Sequence, residues 1–183
     1  MADRFVYCTF CGARFPARQR WPRQCGACGE TSYLNPKPVA VAVQPVGDGL
    51  LAIRRGIPPA HGRLALPGGY VDLGETWQQA TVRELREETG LTADPGTVRL
   101  FDTLSAPDGT LLVFGLLPAV TVADLPPSTP NDESLGREIL HSPAELGFEL
   151  HTRVSDRWFA QSAPTRHIPL PVGLRQAVPT GGT

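Results

Sequence analysis

Glu84, Glu87 and Glu88 stand at i, i+3 and i+4, so on a helix their side chains share one ridge within a turn of about 5.4 Å. Three like charges so placed destabilise an isolated helix by on the order of 0.2 to 0.5 kcal/mol per close pair. A divalent cation reverses that repulsion. Oxygen ligands suit hard ions, and magnesium is held by a few carboxylates while water and substrate phosphate fill its other positions. The competing reading is an ordinary solvated acidic face. The flanking residues bear on the choice. Glu75 can pair with Arg83 and hold the preceding loop against the helix, and the turn Pro67-Gly68-Gly69 can bring the Gly69 carbonyl to the same ion.

A second constellation lies near the start. Cys8-x-x-Cys11-Gly12 and Cys25-x-x-Cys28-Gly29 are two equivalent knuckles with thirteen residues between them. Zinc takes four thiolates tetrahedrally, and each glycine accommodates the tight turn that lets a cysteine pair reach one ion. A redox reading needs one reactive pair beside a βαβ unit, and here two pairs precede any such unit. We read residues 1–36 as a zinc ribbon in which the metal staples a segment too short to bury its own core. Arg4, Arg14, Arg18, Arg20 and Arg23 make the ribbon basic, but a four-thiolate zinc site carries about −2 and offsets most of that excess. Its aromatic residues suit packing as well as base stacking, so nucleic acid is not an expected partner.

These groups need elements to position them. Thr76 and Gln79 have capping-box spacing and Gly90 is a left-handed stop, which predicts a helix over 76–89 with Val82 and Leu85 facing a core. Tyr33 to Pro38 is a proline-interrupted connector. Strands are expected over Val39–Val46 and Leu50–Arg55 around an Asp48-Gly49 turn, then at Leu64–Leu66, Thr97–Leu104 and Thr110–Leu117. Further short strands are expected at Val120–Leu125 and Arg137–His141. A helical turn is expected at Ser142-Pro143, and a last helix over His151–Ala160. Asp132 and Glu133, in a proline-rich loop, are candidate general bases, whereas His61 and His141 have no partner at motif spacing.

The 183 residues have room for one ordinary domain with a small appendage, and 41% hydrophobic with 19% charged residues fits a globular chain. A net charge of −1 gives no field for a polyanion. No signal peptide or apolar membrane span is legible, so the expected location is the cytoplasm, where four clustered cysteines favour metal over disulfides. Residues 37–160 form the main domain and 161–183 a proline-rich tail.

Nine residues from Gly69 to Leu91 (Gly69, Glu75, Arg83, Glu84, Leu85, Glu87, Glu88, Gly90 and Leu91) match every fixed position of G-x5-E-x7-R-E-U-x-E-E-x-G-U, where U is aliphatic. This resembles the Nudix box. Together with the ribbon and the Asn35-Pro36-Lys37 connector, it resembles the zinc-ribbon subgroup of Nudix hydrolases. The resemblance implies an α+β fold, the Nudix α/β/α sandwich with an N-terminal zinc ribbon. It implies magnesium or manganese on Glu84, Glu87, Glu88 and the Gly69 carbonyl, a mainly structural Glu75–Arg83 pair, and hydrolysis of a nucleoside diphosphate linked to another moiety. It also implies a homodimer, and a loop glutamate acting as base makes Glu133 the preferred candidate. The NADH diphosphatases of this subgroup carry a Ser-Gln-Pro-Trp-Pro-Phe-Pro run after the box, which is absent here, and ADP-ribose diphosphatases often place a proline where Pro107 stands. ADP-ribose or flavin-adenine dinucleotide is therefore the first expected substrate, and NADH the second. A nucleotide sensor without catalysis is the alternative from another class.

Overall fold

The computed structural model describes residues 5–162. The proline-rich tail expected over 161–183 lies, from residue 163 onward, outside them. In chain order the strands are β1 (Arg23–Gln24), β2 (Thr31–Ser32), β3 (Lys37–Val43), β4 (Pro45–Val46), β5 (Gly49–Arg55), β6 (Leu64–Ala65) and β7 (Gly68–Tyr70). Helix α1 (Trp77–Thr89) follows, then β8 (Arg99–Ser105), β9 (Thr110–Leu116), β10 (Ser134–Leu140) and helix α2 (Glu149–Ser162).

Two small sheets build the body. One has the order β7-β3-β9-β8, with β3 and β9 parallel and the other pairs antiparallel; the other has the order β10-β5-β4, with β6 also on β5. Strand alternation divides the core between two faces. Val41 and Val43 of β3, with Leu50 and Ala52 of β5, pack with Val154 and Trp158 of α2. Ala42 and Leu51 point the other way and pack with Leu85 of α1. The sheets thus lie between the two helices, giving the α/β/α sandwich. Among the described residues no helix is long and apolar enough to cross a membrane.

Several elements depart from the sequence expectations, each for a local reason. The strand expected over Val39–Val46 divides at Gln44, where the chain passes from one sheet to the other. The buried Gln44 amide donates to the carbonyls of Pro45 and Pro118 and so satisfies the crossing. The hairpin turn is Gly47-Asp48, not Asp48-Gly49, because Val46 pairs with Gly49 and the positive φ of 58° falls on Gly47. The strand expected at Val120–Leu125 reduces to a single bridge from Val120 to Val46, followed by a 3-10 turn at Val122–Asp124. There the Asp124 carboxylate accepts from the Thr121 backbone and hydroxyl, both at 2.8 Å, and closes the turn. A 3-10 turn at Pro95–Thr97 delays β8 to Arg99. No helical turn forms at Ser142-Pro143. Backbone donors just beyond it are committed elsewhere, Leu146 to the Thr152 hydroxyl and Gly147 to the Leu64 carbonyl. Strand β10 is longer than expected because it pairs with β5 from Ser134 to Leu140.

Candidate active site

Helix α1 begins and ends where its caps dictate. Thr76 Oγ1 accepts from the Gln79 N–H at 3.2 Å while Gln79 Oε1 accepts from the Thr76 N–H at 2.7 Å. Gly90, at φ 77°, donates its N–H to the Arg86 carbonyl. Ala80 and Leu85 anchor the helix on the core, which turns Glu84 and Glu88 inward, only 7% and 6% exposed, against β7.

Arg83 organises the loop before the helix. It donates to both oxygens of Glu75, at 2.7 and 3.2 Å, and to the Tyr70 carbonyl at 2.9 Å, while Glu75 accepts the Asp72 N–H at 2.8 Å. The same guanidinium donates to Glu84 at 2.7 Å and to Glu87 at 3.2 Å. Every donor edge of Arg83 is thus engaged by the protein. Its partnership holds the Glu75 carboxyl below the ordinary range and raises the proton affinity of the guanidinium. The expected clamp of loop on helix is present.

The ridge itself differs from the sequence picture of three converging carboxylates. Among the described residues the four cysteines are the one group of three or more whose ligand atoms all lie within 4.8 Å of one another. Arg83 draws two of the acids and the backbone holds the third. Glu84 takes Arg83, Glu88 accepts the Gly68 N–H at 2.8 Å, and the exposed Glu87 turns toward Arg83 and Arg86. Burial pushes the Glu84 carboxyl upward despite Arg83, and it pushes Glu88 up to about 8 against the opposing Gly68 hydrogen bond. Two carboxyls buried side by side favour a compensating positive charge. Gly69 lies directly over them: a side chain at that position would overlap the Glu84 carboxylate.

Glu133 arrives from the loop before β10. Its carbonyl accepts the Gly56 N–H at 2.7 Å, and Asn131 fastens the loop to the end of α1 by donating to the Glu87 carbonyl at 2.8 Å. The charge of Glu133 adds to the upward shift of both Glu84 and Glu88, which places it beside the ridge. Asp132 is exposed. His61 is exposed, and His141 pairs with Asp48 on the surface at 3.0 Å. Neither histidine lines the cavity.

A cavity of about 940 Å³ opens beside the ridge, lined by Glu84, Glu88 and Glu133, by Arg55 at the end of β5, by Phe148 ahead of α2, and by Pro107 at the β8–β9 tip. Sequence reasoning missed Arg55, Phe148 and Asn131 as site residues. The weak signal available was a pair of arginines closing a strand; nothing in the spacing joined them to the box.

At the other end of the chain the four sulfurs gather. The Cys8 and Cys28 Sγ atoms are 3.7 Å apart, as are those of Cys11 and Cys25. Both knuckles close through a glycine with positive φ: Gly12 donates to the Cys8 carbonyl at 3.0 Å and Gly29 to the Cys25 carbonyl at 2.9 Å. The Phe10 N–H points at Cys8 Sγ at 3.4 Å and is the main reason that this thiol is lowered to about 6; Cys25 is lowered similarly by the Cys28 and Ala27 backbone. Such a set of sulfurs is compatible with zinc.

Residues 35–161 match the family model of the NUDIX domain. The chain belongs to the Nudix family. This Nudix chain is similar to an ADP-ribose pyrophosphatase of Methanocaldococcus jannaschii, 41% identical over 76 residues that make up 42% of this chain and 44% of that protein. It is also similar to the NAD-capped RNA hydrolase NudC of Shigella flexneri, 31% identical over 86 residues, 46% of this chain and 33% of that one. The matched region is less than half the length of either curated relative. In fold it resembles a Nudix hydrolase from Nitrosomonas europaea, with a TM-score of 0.66 at 24% identity, covering 85% of this chain and 90% of that one. A bifunctional NMN adenylyltransferase/ADP-ribose pyrophosphatase from Francisella tularensis aligns with a TM-score of 0.51 at 25% identity, over 59% of this chain and 34% of that one.

Proposed function

We propose that this Nudix chain hydrolyses the diphosphate linkage of a nucleoside diphosphate derivative, with ADP-ribose or a related dinucleotide such as flavin-adenine dinucleotide as substrate. The observation that carries the reading is the buried pair Glu84 and Glu88, both with raised proton affinity, in a cavity large enough for a nucleotide. Oxygen donors of this kind fit a hard divalent ion. Glu84, Glu87 and Glu88, with the Gly69 carbonyl, would hold magnesium or manganese. Bound there, the ion would supply charge neutralisation on phosphoryl oxygens and activation of the attacking water. Glu133 then accepts a proton from the attacking water, whose oxygen adds to one phosphorus as the bridging P–O bond breaks. Glu75 and Arg83 keep the loop and the ridge in register. The cysteine tetrad would hold structural zinc.

For the substrate, the similarity to an ADP-ribose pyrophosphatase and the place of Pro107 on the cavity wall support ADP-ribose. The similarity to NudC keeps NADH as the second reading. The test is a screen over ADP-ribose, flavin-adenine dinucleotide and NADH with magnesium in oxygen-18 water, followed by phosphorus NMR. ADP-ribose should give AMP and ribose 5-phosphate, one of them labelled, and Glu87→Gln should lower kcat by on the order of 100-fold. If nucleotide binds but neither wild type nor the variant turns over any of the three, the hydrolase reading fails and a sensor takes its place.

A further inference from the structure

Among the described residues, two arginines line the cavity, and the protein uses them differently. Arg83 is held on all sides by Glu75, Glu84, Glu87 and the Tyr70 carbonyl. Arg55 forms no salt bridge among the described residues. Its one side-chain hydrogen bond there is from Nε to the Pro59 carbonyl at 2.9 Å. Its guanidinium stands over the Phe148 ring, 5.0 Å from the centroid, an arrangement that steadies a cation by its attraction to the π face. With Nε tied back and the guanidinium carbon over the ring, the two terminal nitrogens have no hydrogen-bond partner among the described residues, on a side chain that lines the cavity. Fork-like donor pairs of this geometry match the oxygens of a phosphoryl group in a bidentate fashion.

The placement of Arg55 is built into the sheet. It is the last residue of β5, pairs with Ser134 of β10, and precedes Gly56, whose N–H fastens the Glu133 carbonyl. A side chain at position 56 would press on the Asp132 carbonyl, so glycine is what allows the Glu133 loop to lie this close. One short stretch therefore delivers a free cation and a candidate base to the same cavity.

The geometry points to Arg55 as a substrate-binding residue that grips phosphoryl oxygens of a nucleoside diphosphate group, with Phe148 and the Pro59 carbonyl as its positioning partners. The inference rests on the nucleotide reading of the cavity, and it assigns the charges. The acidic ridge, once it holds cations, attracts one part of the diphosphate, and Arg55 compensates oxygens that those cations do not reach. Phosphate recognition is thereby divided between two elements far apart in sequence, α1 and the end of β5.

The test uses the full chain and ADP as the probe, titrated calorimetrically without added divalent ion, beside steady-state kinetics on ADP-ribose with magnesium. Arg55→Ala should weaken ADP binding about ten-fold or more, the loss typical of a charged hydrogen bond, and raise KM for ADP-ribose by a similar factor. Arg55→Lys, which keeps the charge but not the fork, should fall between the two. Phe148→Leu, which keeps apolar bulk but removes the π face, should raise KM while leaving kcat and the melting temperature near wild type. Equal ADP affinity for wild type and both Arg55 variants overturns the inference, as does an unchanged kcat/KM in Arg55→Ala. If wild type binds ADP in an Arg55-dependent way yet hydrolyses nothing, Arg55 stands as the anion site while the hydrolase reading falls.

Discussion

At the scale of single residues the site depends on one close approach. Gly69 passes over Glu84 so tightly that a methyl group would overlap its carboxylate. The colliding atoms belong to the far end of a flexible side chain, and the collision moves Glu84 without breaking the strand. Gly69→Ala should therefore leave the strand folded while displacing Glu84 from its partner Arg83. Because supporting contacts around a metal site typically contribute 10- to 100-fold, kcat/KM with magnesium should fall by roughly that range. A melting curve beside a kinetic assay checks it; full activity in a well-folded variant would remove Glu84 from the site. The same scale explains what the sequence revealed. Glu75 and Arg83 lie eight residues apart across one helix start, so their pairing follows from spacing alone. Arg55 and Phe148 are ninety-three positions apart and meet only because β5 and the segment before α2 converge on one cavity. Nor does spacing disclose how far Glu87 turns from the ridge, since that depends on competition for Arg83.

At the scale of elements, periodicity and caps gave α1 its limits, while the boundaries that moved were those decided by tertiary hydrogen bonds. Helix α2 is the clearest case. Spacing marks His151 only as the start of a helix, yet it is buried between Phe114 and Phe148 and accepts the Leu66 N–H through Nδ1 at 3.2 Å. An imidazole that accepts there must be neutral. Burial, with the Arg55 charge, lowers it from an ordinary 6.5 to about 3. The unfolded chain therefore binds a proton that the folded chain refuses between those two values. The contribution of His151 is fully present above pH 6.5 and declines as pH falls toward 3. The decline amounts to on the order of a few kcal/mol, each tenfold change in proton affinity being about 1.4 kcal/mol. Burial of Glu88 works in the opposite sense over the same range and is common to wild type and variant, so His151 is read from the difference between them. In urea melts, the stability advantage of wild type over His151→Asn should shrink from pH 7 to pH 5. Parallel profiles for the two proteins would mean that another group sets the acid limb.

At the scale of the whole molecule, the buried apolar residues among those described fall into three clusters, and the ribbon has the smallest. Cys8, Phe15 and Cys25, with Ala13 and Trp21 against them, make up its core, separate from the two clusters that join the sheets to α1 and α2. Two of its three buried members are cysteines. Paired strands of two residues each add little, and two-stranded hairpins are marginal on their own. Thiolates left without an ion would repel one another, so a metal held by the four cysteines would supply much of the ribbon's order, whereas the body has two apolar clusters of its own. Chelation of zinc, or Cys11→Ser, should abolish amide protection over residues 5–36 while leaving β3, β5 and α1 protected, giving two separate transitions in place of one. Hydrogen exchange read by mass spectrometry on the intact chain resolves the two regions. Protection retained throughout 5–36 after verified metal removal would show that aromatic packing around Trp21 and Phe15 suffices. Loss of protection in the body as well would mean that the ribbon and the sandwich fold as one unit.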